Sequence, residues 1–123
     1  MNLSSKIKTW WDNNPQGYGK DLKSIFDKSG SSDDSEFLNY LNENDKNFIN
    51  AAYFAQNSFN DPFSKLFPKD LSNKVVLEIG CGLGFHTELL SGKCRKVISI
   101  DLSEYAVEVT KKRLLLKGIN NVD

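Results

Sequence analysis

The fold of this chain is decided by one stretch, Val75-Val76-Leu77-Glu78-Ile79-Gly80-Cys81-Gly82-Leu83-Gly84. Its apolar first half is bounded by polar residues on one side and by glycine on the other, which predicts a strand covered on both faces, as in a parallel sheet. The alternating glycines leave the following turn free of Cβ atoms, so a ligand can approach the backbone closely. Backbone N–H groups at the start of the next helix face the same cleft.

The segments after this turn alternate between helical and strand patterns. Residues 85–90 have a helical pattern that Gly92 can end. A short β-branched run at residues 97–100 predicts a second strand, and a helix capped by Ser103 and stopped by Gly118 follows it. Residues 119–123 resemble the approach to a third strand. The order β-α-β-α, with the start of another strand, predicts a parallel α/β sheet.

The first 72 residues have a different character, being polar, aromatic and irregular. Helical spacing predicts one helix from about residue 35 to 41, another opening at Asp45, and a short one opening at Asp61-Pro62. Residues 27–35 are predicted to form a mobile loop. We therefore predict two parts: residues 1–72, an N-terminal helical segment, and residues 73–123, the first part of an α/β domain.

The glycine spacing is G-x-G-x-G, and the third position of the dinucleotide fingerprint G-x-G-x-x-G is displaced onto Phe85. The segment 75–84 resembles the first motif of the class I S-adenosylmethionine-dependent methyltransferases. Ile100-Asp101-Leu102-Ser103, followed by Ala106, resembles the second motif of that family. The resemblance covers about 50 residues and implies a Rossmann-like parallel sheet, S-adenosylmethionine as cofactor, and an N-terminal helical lid.

By this resemblance, the glycine loop holds the amino-acid part of the cofactor, and Asp101 takes both ribose hydroxyls. The chemistry agrees, because a carboxylate accepts two hydrogen bonds from a diol, whereas Glu78 suits an ammonium group or fixes the loop. Leu102 would lie against adenine. The full set of predicted cofactor-binding residues is Glu78, Gly80, Cys81, Gly82, Gly84, Phe85, His86, Asp101 and Leu102.

Several of these side chains also have purely structural interpretations. Glu78 could only brace the loop, and Asp101 could only close its strand. Cys81 lacks an evident partner base, which favours a small packing residue over a nucleophile. His86 is a candidate general base or a pocket-lining residue, and the basic run 111–117 is interpreted as a solvated helix face.

The aromatic residues Trp10, Trp11 and Tyr18 carry two interpretations that stay open. They supply the contact surface of a lid over the cofactor, or they pack the N-terminal segment onto the sheet. Cys81 and Cys94 have no metal-site spacing, so no metal is expected. No residue is assigned a catalytic role, because positioning supplies most of what an in-line methyl transfer needs.

The composition limits the classes of molecule that we expect this chain to bind. The chain has 16 basic and 16 acidic residues, so its zero net charge gives no reason to expect nucleic acid. We expect a small-molecule methyl acceptor, no membrane partner and a cytoplasmic location, since neither a spanning segment nor a signal peptide is recognised. Two alternatives remain: a dinucleotide-binding oxidoreductase half-domain of the NAD type, and a non-catalytic Rossmann-like binding module.

The length of 123 residues conflicts with the fold that the motifs imply. The resemblance implies seven strands, with the fourth beside the first, yet only two strands and the start of a third are found. A buried parallel strand with an unpaired edge leaves N–H and C=O groups unsatisfied. We therefore expect the N-terminal part of a methyltransferase, truncated at strand three, which alone binds cofactor weakly and catalyses nothing.

Overall fold

A computed structural model describes residues 2–14, 22–28, 34–52 and 70–123. The elements, in chain order, are α1 (Leu3–Asn13), α2 (Leu22–Lys28), α3 (Ser35–Ala52), β1 (Leu71–Ile79), α4 (Phe85–Ser91), β2 (Cys94–Ile100) and α5 (Glu104–Leu116). They divide into two compact units, one joining α1 to residues 71–123 and the other holding α2 and α3. Among the described helices, none is both long and apolar enough to cross a membrane.

Strands β1 and β2 form the predicted parallel sheet. Their register pairs Val76 with Val97 and continues to Ile79 beside Ile100. The last residues of the chain then join the free side of β2, where the Asp123 amide donates to the Val97 carbonyl at 3.0 Å. The predicted approach to a third strand is therefore confirmed, and it lies on the opposite side of β2 from β1.

Helices cover one face of this sheet. Thr87 of α4 hydrogen-bonds side chains of both strands on that face, where Val97 is fully buried. The second crossover runs in the same direction as the first, so the right-handed rule places α5 on the same side.

The opposite face carries exposed apolar side chains, with exposures from 39% to 78%: Val75, Leu77, Ile79, Ile98 and Ile100. The sequence predicted cover on both faces of β1. The described residues supply it on one face only, because both crossover helices lie on the same side.

Local signals explain most helix ends in this unit. The Ser103 hydroxyl accepts from the Ala106 amide at 3.2 Å and caps α5, and Gly118 has a φ of +66° beyond the last turn, as predicted. Helix α1 starts at Asn2, whose side chain accepts from the Ser5 amide at 2.9 Å. The helix ends at Asn13, and the Asn14 amide donates to the Trp11 carbonyl at 3.3 Å.

The second unit contains α2 and the long helix α3. Sequence predicted two helices within residues 35–59, the second starting at Asp45, but α3 is continuous and Asp45 is buried within it. The buried face of α3 continues across the predicted break, from Phe37 and Leu41 to Asn44 and Asp45, and this packing outweighs the weak helix propensity of Asn42 and Asn44. The helix predicted to open at Asp61 lies outside the described residues.

Candidate cofactor-binding site

The glycine loop leaves β1 with two residues whose backbone faces open space. Gly80 and Gly82 have φ values of +85° and +55°, and a Cβ built on either would meet no atom within 4 Å. The Gly80 amide donates to the Ile100 carbonyl at 2.7 Å, so the sheet ladder continues into the loop. Positive φ favours glycine at both positions, and the absent side chains leave bare backbone accessible to a ligand.

Gly84 has a different reason to be glycine. Its φ is +79°, and a Cβ there would lie 2.9 Å from Thr110 Oγ1 and 3.2 Å from Arg113 Cδ. Both neighbours belong to α5, which therefore packs directly against the residue that starts α4. The third glycine serves helix packing, whereas the first two leave space.

Asp101 ties the glycine loop to the start of α5. One carboxylate oxygen accepts from the Gly82 amide and the other from the Ser103 amide, both at 2.9 Å. Each oxygen has a further lone pair, so the half-buried carboxylate keeps acceptor capacity for a ligand. Asp101 thus has the structural role considered in the sequence analysis, at the end of its strand. It also keeps the acceptor capacity that a diol would need.

A cleft of about 570 Å³ opens beside Asp101. This volume lies within the usual range for small-molecule sites. Its wall is largely apolar and is formed by Trp11, Ile79, Gly80, Gly82, Leu83, Ile100, Asp101, Leu102, Ser103 and Ala106. Four predicted residues thus meet at one cleft, namely Gly80, Gly82, Asp101 and Leu102. The other five, Glu78, Cys81, Gly84, Phe85 and His86, do not line it.

Glu78 turns toward the helix-covered face of the sheet. Its Oε2 accepts hydrogen bonds from the hydroxyls of Thr87 at 2.5 Å and Ser99 at 2.8 Å. These bonds link β1, β2 and α4 beneath the loop, which favours the bracing interpretation. A bond to a cofactor ammonium group stays a prediction for this residue.

Cys81 is buried between the loop and α5, where Thr110 Oγ1 donates to its sulfur at 3.6 Å. Burial raises the pKa of the Cys81 thiol, and a protonated thiol is a poor nucleophile. The packing interpretation is therefore favoured. Phe85 and His86 are half-buried at the start of α4, with ring centroids 5.1 Å apart, and their contact with a ligand stays a prediction.

Arg113 of α5 supports the glycine loop, a role that the sequence analysis did not predict. Its guanidinium is almost fully buried, donates to the Leu83 carbonyl at 3.2 Å, and contacts Glu88 at 2.6 Å. The interpretation of residues 111–117 as a solvated face is wrong at this position. The signal was present, because Arg113 shares the three- and four-residue spacing of Ala106 and Thr110 on the buried stripe of α5.

Glu88 is the acidic centre of this network, since Lys117 binds its other oxygen at 2.7 Å. Burial alone would raise the pKa of Glu88. The hydrogen bond from Lys117 and the charge of Arg113 outweigh that effect and hold the pKa below its ordinary value. The loop is therefore supported by an ionised carboxylate and a buried guanidinium.

The order of a strand, a glycine turn and a helix, with an acid ending the next parallel strand, is that of a Rossmann-like α/β unit. Within that class, residues 76–123 match the family model described as a methyltransferase domain. The match confirms the resemblance drawn from the two motifs.

Related proteins agree on the family and differ in what they are named for. An uncharacterized RNA methyltransferase of Clostridium acetobutylicum is 46% identical over 55 residues, which are 45% of this chain and 12% of that protein. A ubiquinone biosynthesis O-methyltransferase of Nitrosomonas europaea is 43% identical over 53 residues, or 43% of this chain and 22% of that protein. The chain thus spans less than a quarter of either relative.

One solved structure shares the fold over most of the chain. It is phosphoethanolamine N-methyltransferase 1 of Haemonchus contortus, in complex with phosphoethanolamine and S-adenosylhomocysteine. It is 18% identical, has a TM-score of 0.52, and aligns with 98% of this chain and 20% of its own. The predicted α/β fold of the Rossmann-like type, incomplete in this chain, is confirmed.

Proposed function

We propose that this chain carries the S-adenosylmethionine-binding part of an enzyme that methylates a small molecule. One observation carries the proposal: Asp101 is bonded to the Gly82 amide and lines the same cleft as Gly80 and Gly82. The acid and the loop are thus held together at one site.

The residues of the cleft fit the chemical groups of this cofactor. Asp101 keeps lone pairs for the two ribose hydroxyls, and the open space at Gly80 and Gly82 admits the methionyl chain against bare backbone. Leu102 and Ala106 supply apolar surface for adenine. Bound S-adenosylmethionine supplies a methyl group on a sulfonium centre, and the described residues bind and orient it.

The second part of the proposal concerns the methyl acceptor. A small molecule agrees with the zero net charge of the chain. Because relatives of similar identity are named as an RNA methyltransferase and as a ubiquinone biosynthesis enzyme, the cofactor half does not discriminate between acceptors.

Calorimetric titration with S-adenosylhomocysteine tests the cofactor assignment. We expect Asp101→Asn to weaken binding about tenfold or more, since charge-assisted hydrogen bonds to a diol are lost. Glu108→Gln is a matched control, because Glu108 is exposed on α5 and, among the described residues, forms its ion pair with Lys111 of the same helix. Unfolding curves of both variants separate lost binding from lost folding.

Thermal shifts with different ligands distinguish the alternatives. Stabilisation by S-adenosylhomocysteine but not by NAD supports the proposal. Stabilisation by NAD alone would point instead to an oxidoreductase half-domain. If neither ligand has any effect at millimolar concentration, the non-catalytic module gains support and the cofactor assignment is wrong.

A further inference from the structure

Helix α1 is fastened beside the cleft by a specific side-chain contact. The Ser103 hydroxyl donates to Asp12 Oδ1 at 2.7 Å. Lys8 binds Asp12 Oδ2 at 2.8 Å and reaches Glu104 at 3.4 Å, so the end of α1 is linked to the first turn of α5. The hydrogen bond from Lys8, followed by that from Ser103, holds the pKa of Asp12 below its ordinary value. Asp12 is therefore a charged anchor at neutral pH.

The residue before this anchor enters the cleft. Trp11 is half-buried and contributes to the cleft wall, whereas its neighbour Trp10 is 55% exposed and does not. The two rings meet edge to face, with centroids 4.7 Å apart. Adjacent residues of identical chemistry thus occupy different environments, one in the cleft and one in solvent.

We propose that Trp11 contacts the nucleoside part of the bound cofactor and that Asp12 is the residue that positions it. The inference deepens the function proposed above and rests on it. Ser103, to which Asp12 is bonded, lies two residues after Asp101, so Trp11 reaches the cleft at the ribose-binding end. Leu102 and Ala106, which line the same cleft, are apolar, and this suits a flat base packed against an indole ring.

The chain has only two tryptophans, so intrinsic fluorescence tests the contact directly. Trp10→Phe leaves Trp11 as the single reporter, and Trp11→Phe leaves Trp10 as the matched control. We expect adenosine and S-adenosylhomocysteine to change the Trp11 emission saturably, methionine to leave it unchanged, and Trp10 to respond to none of them. If calorimetry detects S-adenosylhomocysteine binding while Trp11 stays silent, this inference fails and the proposed function stands.

Affinity provides a second measurement. Replacing Trp11 with alanine should weaken adenosine and S-adenosylhomocysteine by a similar factor, about tenfold, because stacking on the base is lost for both. The same titration with S-adenosylmethionine tests the alternative, because this ligand alone of the three has a sulfonium group. A loss of affinity confined to S-adenosylmethionine would place the indole ring at the sulfonium and overturn the nucleoside assignment. Unchanged affinity for every ligand would overturn the contact itself.

The positioning role of Asp12 is tested in the Trp10→Phe background. We expect Asp12→Ala to raise acrylamide quenching of Trp11 and to weaken adenosine binding, although Asp12 does not line the cleft. Asp12→Asn should restore both, since its amide oxygen still accepts from Ser103. If Asp12→Ala changes the unfolding midpoint alone and leaves quenching and affinity intact, the residue is structural and the positioning role is wrong.

Discussion

Replacing Gly84 with alanine should destabilise the fold far more than the same change at Gly82. Both residues have positive φ, so an alanine at either position costs about 1–2 kcal/mol of backbone strain. At Gly82 the new methyl group enters open space. At Gly84 it lies 2.9 Å from the Oγ1 atom and 3.0 Å from the Cγ2 atom of Thr110.

The side chains around Gly84 cannot easily move away from an added methyl group. Thr110 is β-branched, and Arg113, whose Cδ would be 3.2 Å away, is fixed by Glu88 and by the Leu83 carbonyl. Overpacking of this kind costs about 1–3 kcal/mol in addition to the strain. We therefore expect Gly84→Ala to lower the free energy of unfolding by about 2–5 kcal/mol, against about 1–2 kcal/mol for Gly82→Ala.

Urea unfolding of the whole chain, followed by circular dichroism, measures both values. Calorimetric titration should show the opposite order for ligand binding in variants that remain folded, because the Gly82 methyl group projects into the space left for a ligand. The double variant Gly84→Ala/Thr110→Ala should recover part of the loss, since the closest atoms are removed. Equal destabilisation by Gly82→Ala and Gly84→Ala would refute the packing role assigned to the third glycine.

Further predictions concern the ionic support and the bare sheet face. Glu88→Gln should cost about 3 kcal/mol in urea unfolding, because buried Arg113 loses its counter-charge, whereas Lys117→Ala should cost less than about 1 kcal/mol. Since the folded-state pKa of Glu88 is lowered from 4.5, its contribution is present above that pH and lost as the pH falls below it. Wild-type stability should therefore fall more steeply in acid than that of Glu88→Gln, and parallel curves would contradict this. The exposed apolar face predicts self-association of the chain, which analytical ultracentrifugation measures. Leu77→Lys should weaken this association, because Leu77 is 58% exposed on that face, and unchanged association would contradict the role of the face.

The sequence predicted those parts of the site that depend on local backbone chemistry. Alternating glycines, an acid at the end of each strand, and Ser103 as a helix cap all act within a few residues of their own position. The strand pairing, the α/β class and the meeting of Asp101 with the glycine loop followed from them.

What the sequence missed depends on contacts between distant segments. Burial of Arg113 is decided by Glu88 and by a loop carbonyl 30 residues earlier in the chain. Trp11 was left with two interpretations, because the hydrogen bond that holds the adjacent Asp12 joins it to Ser103, 91 positions away. Amphipathic spacing marks such side chains as candidates for burial, but it does not identify their partners.

The short separation between β1 and β2 has a consequence for how the loop forms. Val76 pairs with Val97, only 21 positions later (97 minus 76), through a single crossover helix. Closing such a small loop costs less entropy than joining strands farther apart in the sequence, so this pairing is expected to form before longer-range strand pairings. As the chain leaves the ribosome, the glycine turn and its acids would reach their final arrangement once β2 and the start of α5 emerge. The bond between Asp101 and the Gly82 amide would thus form before the later turns of α5, which then add the support of Arg113 at the Leu83 carbonyl.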